Sequence, residues 1–379
     1  MTAQERPRIV FFVSSHGFGH AARACAVMQS LRRLRPGVEL RVYTETPEWF
    51  FRDSVGTVDY RILRTDIGLV QRSPLHEDVP ATIEELAAFM PFRPAVVDGL
   101  AAANADRDLL VCDIAPLGLR VAATAGVPSV LLENFTWDWI YRAYADVHAR
   151  LAPFIDEIEA INRTATLRIQ AEPVCHVVPG AVAVMPIARS LRESRAEVRR
   201  RLGLDPRVPL VLVSMGGVPA EYPFLARLRE RTDCVVLIPG AASQRRREGA
   251  VLMLPARSDF YHPDLVNACD ALVCKAGYST LAEAHQAGVP LAWFPREHFP
   301  ESPVLDGFIE RNLSGIRLRP SDWDTGGWID RLPELLHLAR RPPGGTAGAG
   351  EIARLLLQRI TDGPQAPVEN GKLSERKMD

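Results

Sequence analysis

Short apolar runs alternate with longer amphipathic stretches along most of the chain. The runs are rich in aliphatic and β-branched residues, and they occupy positions 9–13, 40–44, 108–113, 128–132, 210–214, 234–238, 251–255 and 271–275. Runs of this length favour buried strands, whereas stretches such as 21–33 and 117–125 repeat their apolar positions at helical spacing. Strands that alternate with helices predict parallel sheets covered by helices on both faces. The predicted fold class is α/β, with doubly wound sheets.

A charged segment interrupts this alternation near the middle of the chain. Residues 192–203 mix Arg with Glu193 and Glu197 and end at Gly203, which favours a solvated connecting helix over a nucleic-acid site. The α/β pattern then begins again at 210. We therefore predict two Rossmann-like domains that face a cleft. The predicted units are an N-terminal domain over 1–180, a C-terminal domain over 181–340, a C-terminal helix over 341–362 and a disordered tail over 363–379.

Composition narrows the functional classes. A net charge of −1 over 379 residues gives no electrostatic reason to expect a nucleic-acid partner or an acidic membrane surface. The six cysteines are scattered, and none forms a Cys-x-x-Cys pair, which is typical of free thiols in a reducing compartment. The N-terminus is polar, and no apolar run has membrane-spanning length. We expect a cytoplasmic protein without a transmembrane segment.

A glycine turn flanked by two histidines follows the first predicted strand. It reads Ser14-Ser15-His16-Gly17-Phe18-Gly19-His20-Ala21-Ala22-Arg23 and leads into a predicted helix. Glycines allow a tight turn and a close ligand, and the helix start offers free N–H groups. The turn also fits a dinucleotide fingerprint, with Glu45 as the ribose-binding acid after the next strand. A packed helix-start residue is an equally good interpretation of His20, so the turn alone leaves a structural and a chemical role open.

Asp113 ends the predicted strand 108–113 and has two possible roles. One is to cap the following helix; the other is to orient a histidine of the first turn, because both lie at the carboxyl edge of one parallel sheet. The aromatic stretch from Asn134 to Tyr141 follows the next strand. Two roles are open for its Trp137, as part of the core or in the lining of an acceptor pocket.

The second half repeats the pattern of strand, glycine turn and helix. Gly216 and Gly217 follow one strand, and the segment from Lys275 to Glu283 follows another. Thr280-x-x-Glu283 matches a capping box, which would give both residues a structural role. The alternative is a phosphate at the amides and hydroxyls of Gly277, Ser279 and Thr280, with Glu283 on a ribose hydroxyl. Lys275 adds a cation that capping does not require.

These motifs resemble those of GT-B glycosyltransferases. The segment 270–290 is similar to the donor-binding signature of cell-wall N-acetylglucosaminyltransferases and of UDP-glycosyltransferases. The resemblance is strongest to the glycosyltransferase-like N-terminal region of plant L-arabinokinases. It rests there on the segment 16–23, on the segment 134–138, and on Arg296, Phe299, Glu301 and Pro303.

The resemblance implies a role for individual residues. His20 would be the base that activates the acceptor, and Asp113 the carboxylate that orients it. The implied donor-binding residues are Gly216, Gly217, Tyr261, His262, Lys275, Gly277, Ser279, Thr280, Glu283 and Glu301. The implied acceptor-binding residues are His16, Gly19, Asn134 and Trp137. In one place the chain departs from the family, because 296–301 replaces the Asp/Glu-Gln that many of these transferases use on donor-sugar hydroxyls.

The predicted function is inverting, metal-independent transfer from a nucleoside-diphosphate sugar, UDP-linked, to a hydroxyl acceptor. We expect no cofactor and no metal ion, because Lys275 and a helix start would stabilise the leaving diphosphate. Three alternatives stay open at this point: a nucleotide-sugar hydrolase of the same fold, a non-catalytic nucleotide-sugar-binding protein and, more remotely, an NAD-dependent oxidoreductase.

Overall fold

The computed structural model describes residues 6–217, 221–344 and 347–362. They form two α/β lobes, each built on a sheet of seven strands. In the first lobe, strands β1 to β9 are Arg8–Val13, Glu39–Thr44, Asp59–Ile62, Gln71–Ser73, His76–Glu77, Leu109–Asp113, Ser129–Glu133, Leu167–Ala171 and Val182–Val184. Helices α1 to α7 are Gly19–Leu34, Glu48–Val55, Val79–Phe89, Pro94–Asn104, Pro116–Ala125, Trp137–Arg142 and Ala152–Asn162. The fully parallel sheet has the order β3-β2-β1-β6-β7-β8-β9, which confirms the predicted doubly wound α/β class.

The second lobe has the same architecture. Its strands β10 to β16 are Leu210–Ser214, Val235–Pro239, Arg246–Glu248, Val251–Leu254, Ala271–Lys275, Leu291–Phe294 and Gly315–Arg317. Helices α8 to α15 are Arg195–Arg201, Leu225–Arg229, His262–Ala268, Tyr278–Ala287, Ser302–Asn312, Ser321–Thr325, Leu332–His337 and Ala347–Asp362. The sheet order is β12-β13-β11-β10-β14-β15-β16, and only the edge strand β12 is antiparallel to its neighbour.

Apolar side chains explain why each sheet is covered on both faces. The central strands β1, β6, β10 and β14 are buried almost throughout, as continuous aliphatic runs predict for parallel strands. Strand order reverses between β1 and β6 in the first sheet and between β10 and β14 in the second. In open α/β sheets, ligands bind outside the carboxyl ends of the strands at such a switch point. The fold therefore marks one expected binding edge in each lobe.

The C-terminal part differs from the sequence prediction. The predicted C-terminal helix, 341–362, is observed over Ala347–Asp362, and Pro342 and Pro343 before it lack the N–H groups that a helix interior needs. Helix α15 returns to the first lobe, where Ile352, Ala353 and Leu356 are fully buried against α1. The predicted disordered tail, 363–379, lies outside the described residues.

Other elements were absent from the sequence prediction. Helix α4, strands β3, β8 and β9, and the β4–β5 hairpin lie in segments without a clear pattern. The hairpin lies within 66–80, a segment without clear periodicity, and Leu69 and Leu75 of that segment are buried. The first sheet includes Val182–Val184, so the predicted division at 180 falls before its last strand.

No single helix of the described residues is long and apolar enough to cross a bilayer. The bent pair α3 and α4 passes the same test jointly, by length and composition.

Candidate active site

The two switch points face each other across a cleft of about 1090 Å³ between the lobes. The turn after β1 and the turn after β10 touch at its floor: Gly216 accepts a hydrogen bond of 3.5 Å from the Phe18 amide. Positive φ angles of 73° at Gly216 and 81° at Gly217 favour glycine there, and Phe18 occupies the space of a Cβ at Gly217. The cleft is therefore lined by both glycine turns that the sequence singled out.

His20 and Asp113 meet at the first switch point. Val13 and Asp113 are register partners on β1 and β6, and His20 lies in the first turn of α1. His20 Nδ1 is 2.8 Å from Asp113 Oδ1. Asp113 is fully buried behind the histidine, while His20 lines the cleft. The predicted juxtaposition is present, and the capping alternative is wrong, because the cap of α5 is Ala115 and receives no side-chain bond.

Arg23, which the sequence prediction did not place in the site, holds this pair. Its Nε and NH2 donate to the two oxygens of Asp113 at 2.8 and 2.6 Å. Burial disfavours the Asp113 carboxylate, but the Arg23 guanidinium outweighs it and lowers the pKa of Asp113 below its usual value. An ionised carboxylate only accepts hydrogen bonds, so the His20 proton is assigned to Nδ1. That leaves the Nε2 lone pair of His20 available to a group in the cleft.

The hydrogen-bonded chain continues into the other lobe. Arg23 NH1 donates to Asn134 Oδ1 at 2.7 Å, and Asn134 Nδ2 donates to Glu301 Oε1 at 2.7 Å. Asn134 and Glu301 both line the cleft. Burial raises the pKa of Glu301, against the opposing charge of Arg296. The predicted donor-binding residue Glu301 is therefore hydrogen-bonded directly to the predicted acceptor-binding residue Asn134.

The second histidine of the turn has a different environment. Burial, together with the charges of Arg296 and Lys275, lowers the pKa of His16 well below its usual value, so the ring is neutral. Its Nε2 is buried without a hydrogen-bond partner among the described residues. His16 also packs edge-on against Trp137, with 5.2 Å between ring centroids. This geometry gives His16 no carboxylate to orient it.

Trp137 was predicted to line the acceptor pocket, and this prediction is wrong. The side chain is 1% exposed, stacks on Tyr141 and does not line the cleft. Its Nε1 donates to Asp66 Oδ2 at 3.1 Å. Burial raises the pKa of Asp66 to about 6. The ring belongs to the core beneath the site, and Phe135 lines the cleft instead.

The second switch point presents the start of α11 and a lysine. Helix α11 begins at Tyr278, with Gly277 as its N-cap and no side-chain cap. Thr280 therefore lies inside the helix, and the capping-box alternative for Thr280 and Glu283 is wrong. Ser279 Oγ donates to the Gly19 carbonyl of the first turn at 2.6 Å. Burial and the Arg296 charge lower the pKa of Lys275 to about 7.

Glu283 is part of a buried ion-pair cluster. Its Oε1 accepts from Arg189 at 2.9 Å, and its Oε2 is 2.9 Å from His262 Nδ1. Burial disfavours the Glu283 carboxylate, but the Arg189 charge prevails and lowers its pKa. The Arg189 guanidinium also lies over the Tyr261 ring, 5.1 Å from its centroid. All four residues line the same end of the cleft.

The same geometry bears on the dinucleotide alternative and on a metal centre. Glu45 is exposed, pairs with Arg64 at 3.3 Å and does not line the cleft. It is therefore not placed to bind a ribose at the first turn. Within the described ranges, no group of three His, Cys, Asp or Glu side chains lies close enough to hold a metal ion.

Known proteins with similar sequences are of two kinds. The chain is 30% identical to L-arabinokinase from Arabidopsis thaliana over 366 residues, which is 93% of this chain but 34% of that protein. The chain thus spans about a third of that relative's length. It is also 26% identical over 356 residues to the UDP-N-acetylglucosamine–N-acetylmuramyl-(pentapeptide) pyrophosphoryl-undecaprenol N-acetylglucosamine transferase of Thermus thermophilus, covering 89% of this chain and 95% of that one. No protein-family model matches the chain.

Solved structures resemble it over nearly its full length. A UDP-glucosyltransferase from Polygonum tinctorium superposes with a TM-score of 0.60 at 16% identity, covering 95% of this chain and 94% of the other. The chain has the GT-B fold. The resemblance to GT-B glycosyltransferases and to L-arabinokinase is confirmed as well. In this GT-B protein, His20 and Asp113 belong to the N-terminal lobe, whereas Lys275 and the start of α11 belong to the C-terminal lobe.

The sequence prediction missed three buried residues at the site: Arg23 and Arg189 line the GT-B cleft, whereas Asp66 bonds the buried Trp137 and does not line it. Arg23 belongs to the first motif but was assigned no role there, although its spacing of one helical turn from His20 places both on one face of α1. Asp66 lies in a segment without periodicity, and Arg189 in an irregular connection. No local pattern marks either residue, because each gains its partner through tertiary contact alone.

Proposed function

We propose that this protein transfers a sugar from a nucleoside-diphosphate sugar, UDP-linked, to a hydroxyl acceptor, with inversion and without a metal ion. One observation carries the proposal: an oriented histidine and a helix start with a neighbouring lysine face each other across one cleft. His20 Nε2 faces the cleft from one lobe. Lys275 and the amides at Gly277 face it from the other.

This arrangement matches the charges that develop during inverting transfer. The acceptor hydroxyl gives its proton to His20 Nε2 as its oxygen forms a bond to the anomeric carbon. The bond from that carbon to the phosphate oxygen breaks, and the diphosphate leaves with the electron pair. Because base and leaving-group site lie on opposite lobes, attack and departure occur on opposite faces of the sugar. Asp113 stabilises the imidazolium that forms, as a carboxylate does for a general base.

The diphosphate is stabilised by groups of this chain. The free N–H groups at the start of α11 attract an anion, and Lys275 adds a positive charge when it is protonated. Groups fixed in advance around a leaving group lower the barrier without reorganisation. The names of the Thermus and Polygonum relatives support UDP as the nucleotide.

The experiment has a binding arm and a turnover arm. UDP, dTDP, GDP, ADP and NADH are compared by their effect on the melting temperature, since a ligand bound only to the native state raises it. UDP release from UDP-sugars is then measured with hydroxyl acceptors and with water alone. A shift with UDP and acceptor-dependent release support transfer. Release into water alone indicates a hydrolase, binding without release a non-catalytic binding protein, and a shift with NADH alone contradicts the proposal.

A further inference from the structure

Arg296 lines the cleft between the two lobes. It follows β15 by two residues, and β15 pairs with β14, which ends at Lys275. Lys275 and His16 line the same cleft, and the positive charge of Arg296 lowers the pKa of both. During transfer the sugar must lie between the leaving diphosphate and the base. Arg296 therefore borders the space that the sugar occupies.

The Arg296 side chain is buried but has no hydrogen-bonded partner of its own. The residue is 4% exposed, and its guanidinium packs over Phe299, 3.1 Å from the ring centroid. Within 6–217, 221–344 and 347–362, the guanidinium forms no hydrogen bond or ion pair. Arg23 and Arg189, which are equally buried, each bond a carboxylate. None of its nitrogens is among the fully buried unpaired atoms of the described residues, so the guanidinium reaches the cleft. A charge held so deep without a bonded partner indicates that an anion in the cleft completes the site.

The neighbouring carboxylates do not satisfy this arginine. Glu301 attracts Arg296 electrostatically, but its Oε1 is bonded to Asn134. Glu77 and Tyr144 contribute smaller attractions and hydrogen-bond each other. Burial lowers the pKa of Arg296 to about 10, so the side chain still carries its charge at neutral pH. Lys275 and the start of α11 already provide for the diphosphate, which leaves Arg296 for a second anion.

We propose that the donor carries a carboxylate on its sugar, as a nucleoside-diphosphate hexuronic acid does, and that Arg296 selects it. This inference rests on the proposed function. A planar guanidinium matches a carboxylate with two parallel hydrogen bonds, whereas a neutral CH₂OH group leaves the buried charge unpaired. One hydrogen bond to a charged group corresponds to about 10- to 100-fold in affinity, which is the expected preference for the acidic over the neutral donor. Arg296 is thus a specificity-determining residue for the donor.

The test compares UDP-glucuronic and UDP-galacturonic acid with UDP-glucose, UDP-galactose and UDP itself by calorimetry. The wild type should bind at least one uronic acid donor about 10- to 100-fold more tightly than its neutral counterpart. Arg296→Gln should reduce this preference to within about threefold and leave UDP affinity nearly unchanged, while Arg296→Lys should retain part of it. Arg317→Gln, an exposed arginine of the same lobe paired with Asp306, is the matched control and should retain the full preference.

Three results would overturn the inference, and they are distinguishable. Equal wild-type affinity for acidic and neutral donors would show that no carboxylate is selected. Equal weakening of UDP and every UDP-sugar in Arg296→Gln would assign the arginine to the diphosphate. If UDP itself does not bind to the wild type, the proposed function fails, and this inference fails with it.

Discussion

Replacing Arg23 by Met should strongly destabilise the N-terminal lobe, because it leaves the Asp113 charge buried without its main partner. Arg23 is 1% exposed and donates two hydrogen bonds to Asp113 and one to Asn134. Each hydrogen bond to a charged group contributes about 1.5 to 3 kcal/mol, so the two to Asp113 give about 3 to 6 kcal/mol. A second line of reasoning gives a similar value, because removal of one partner of a buried ion pair lowers the free energy of unfolding by about 3 to 5 kcal/mol.

A double-mutant cycle separates this cause from lost packing. Asp113→Asn should also destabilise, because it leaves the Arg23 charge buried. The double variant Arg23→Met/Asp113→Asn removes both charges and should be more stable than the sum of the single effects predicts, by at least about 2 kcal/mol. Arg64→Met, at the exposed pair with Glu85, is the control and should change stability by less than about 1 kcal/mol. The free energies come from urea denaturation, and additivity within about 0.5 kcal/mol would refute the reasoning.

Two further predictions concern protons. Burial leaves Lys275 mostly neutral above pH 7, so UDP binding at pH 8 should take up close to one proton. UDP affinity should therefore fall about tenfold per pH unit as pH rises above 7. Calorimetry in buffers of different ionisation enthalpy measures the proton uptake, and Lys275→Met should abolish it. The raised pKa of Asp66, about 6, makes the native state bind more protons than the unfolded chain between pH 4 and 6. As pH rises through that interval, the free energy of unfolding of the wild type should fall by about 3 kcal/mol more than that of Asp66→Asn. Urea denaturation at each pH measures both free energies. Parallel pH profiles of the two proteins would contradict the raised pKa of Asp66.

The fold and the pairing of His20 with Asp113 were predictable because both follow from strand ends. In a parallel sheet, carboxyl ends share one edge, so two buried strands followed by polar residues place these side chains together. To predict that Asp113 and His20 meet, it was enough to know this rule and that β6 lies beside β1, the strand before His20.

Other features depend on contacts that no sequence pattern encodes. Trp137 follows a strand end like a ligand-facing residue, yet its indole turns inward to Asp66. Thr280 and Glu283 match a capping box, but the helix begins earlier, at Tyr278, and Glu283 pairs with Arg189 from the connecting segment. The return of α15 to the first lobe likewise depends on apolar contacts with α1. Local spacing specifies the element in each case, and tertiary packing decides the partner.

The claim that His20 is the base is tested most directly by a comparison of turnover and UDP affinity in His20→Ala. The assay is UDP release from the donor on which the wild type is most active, beside calorimetric UDP binding. A positioned base contributes about 10² to 10⁴ in rate, while the proposed UDP site lies in the other lobe. His20→Ala should therefore lose turnover by about that factor and bind UDP within about threefold of wild type, whereas His16→Ala, in the same turn, should be milder. Turnover of His20→Ala within a few-fold of wild type would contradict the assignment.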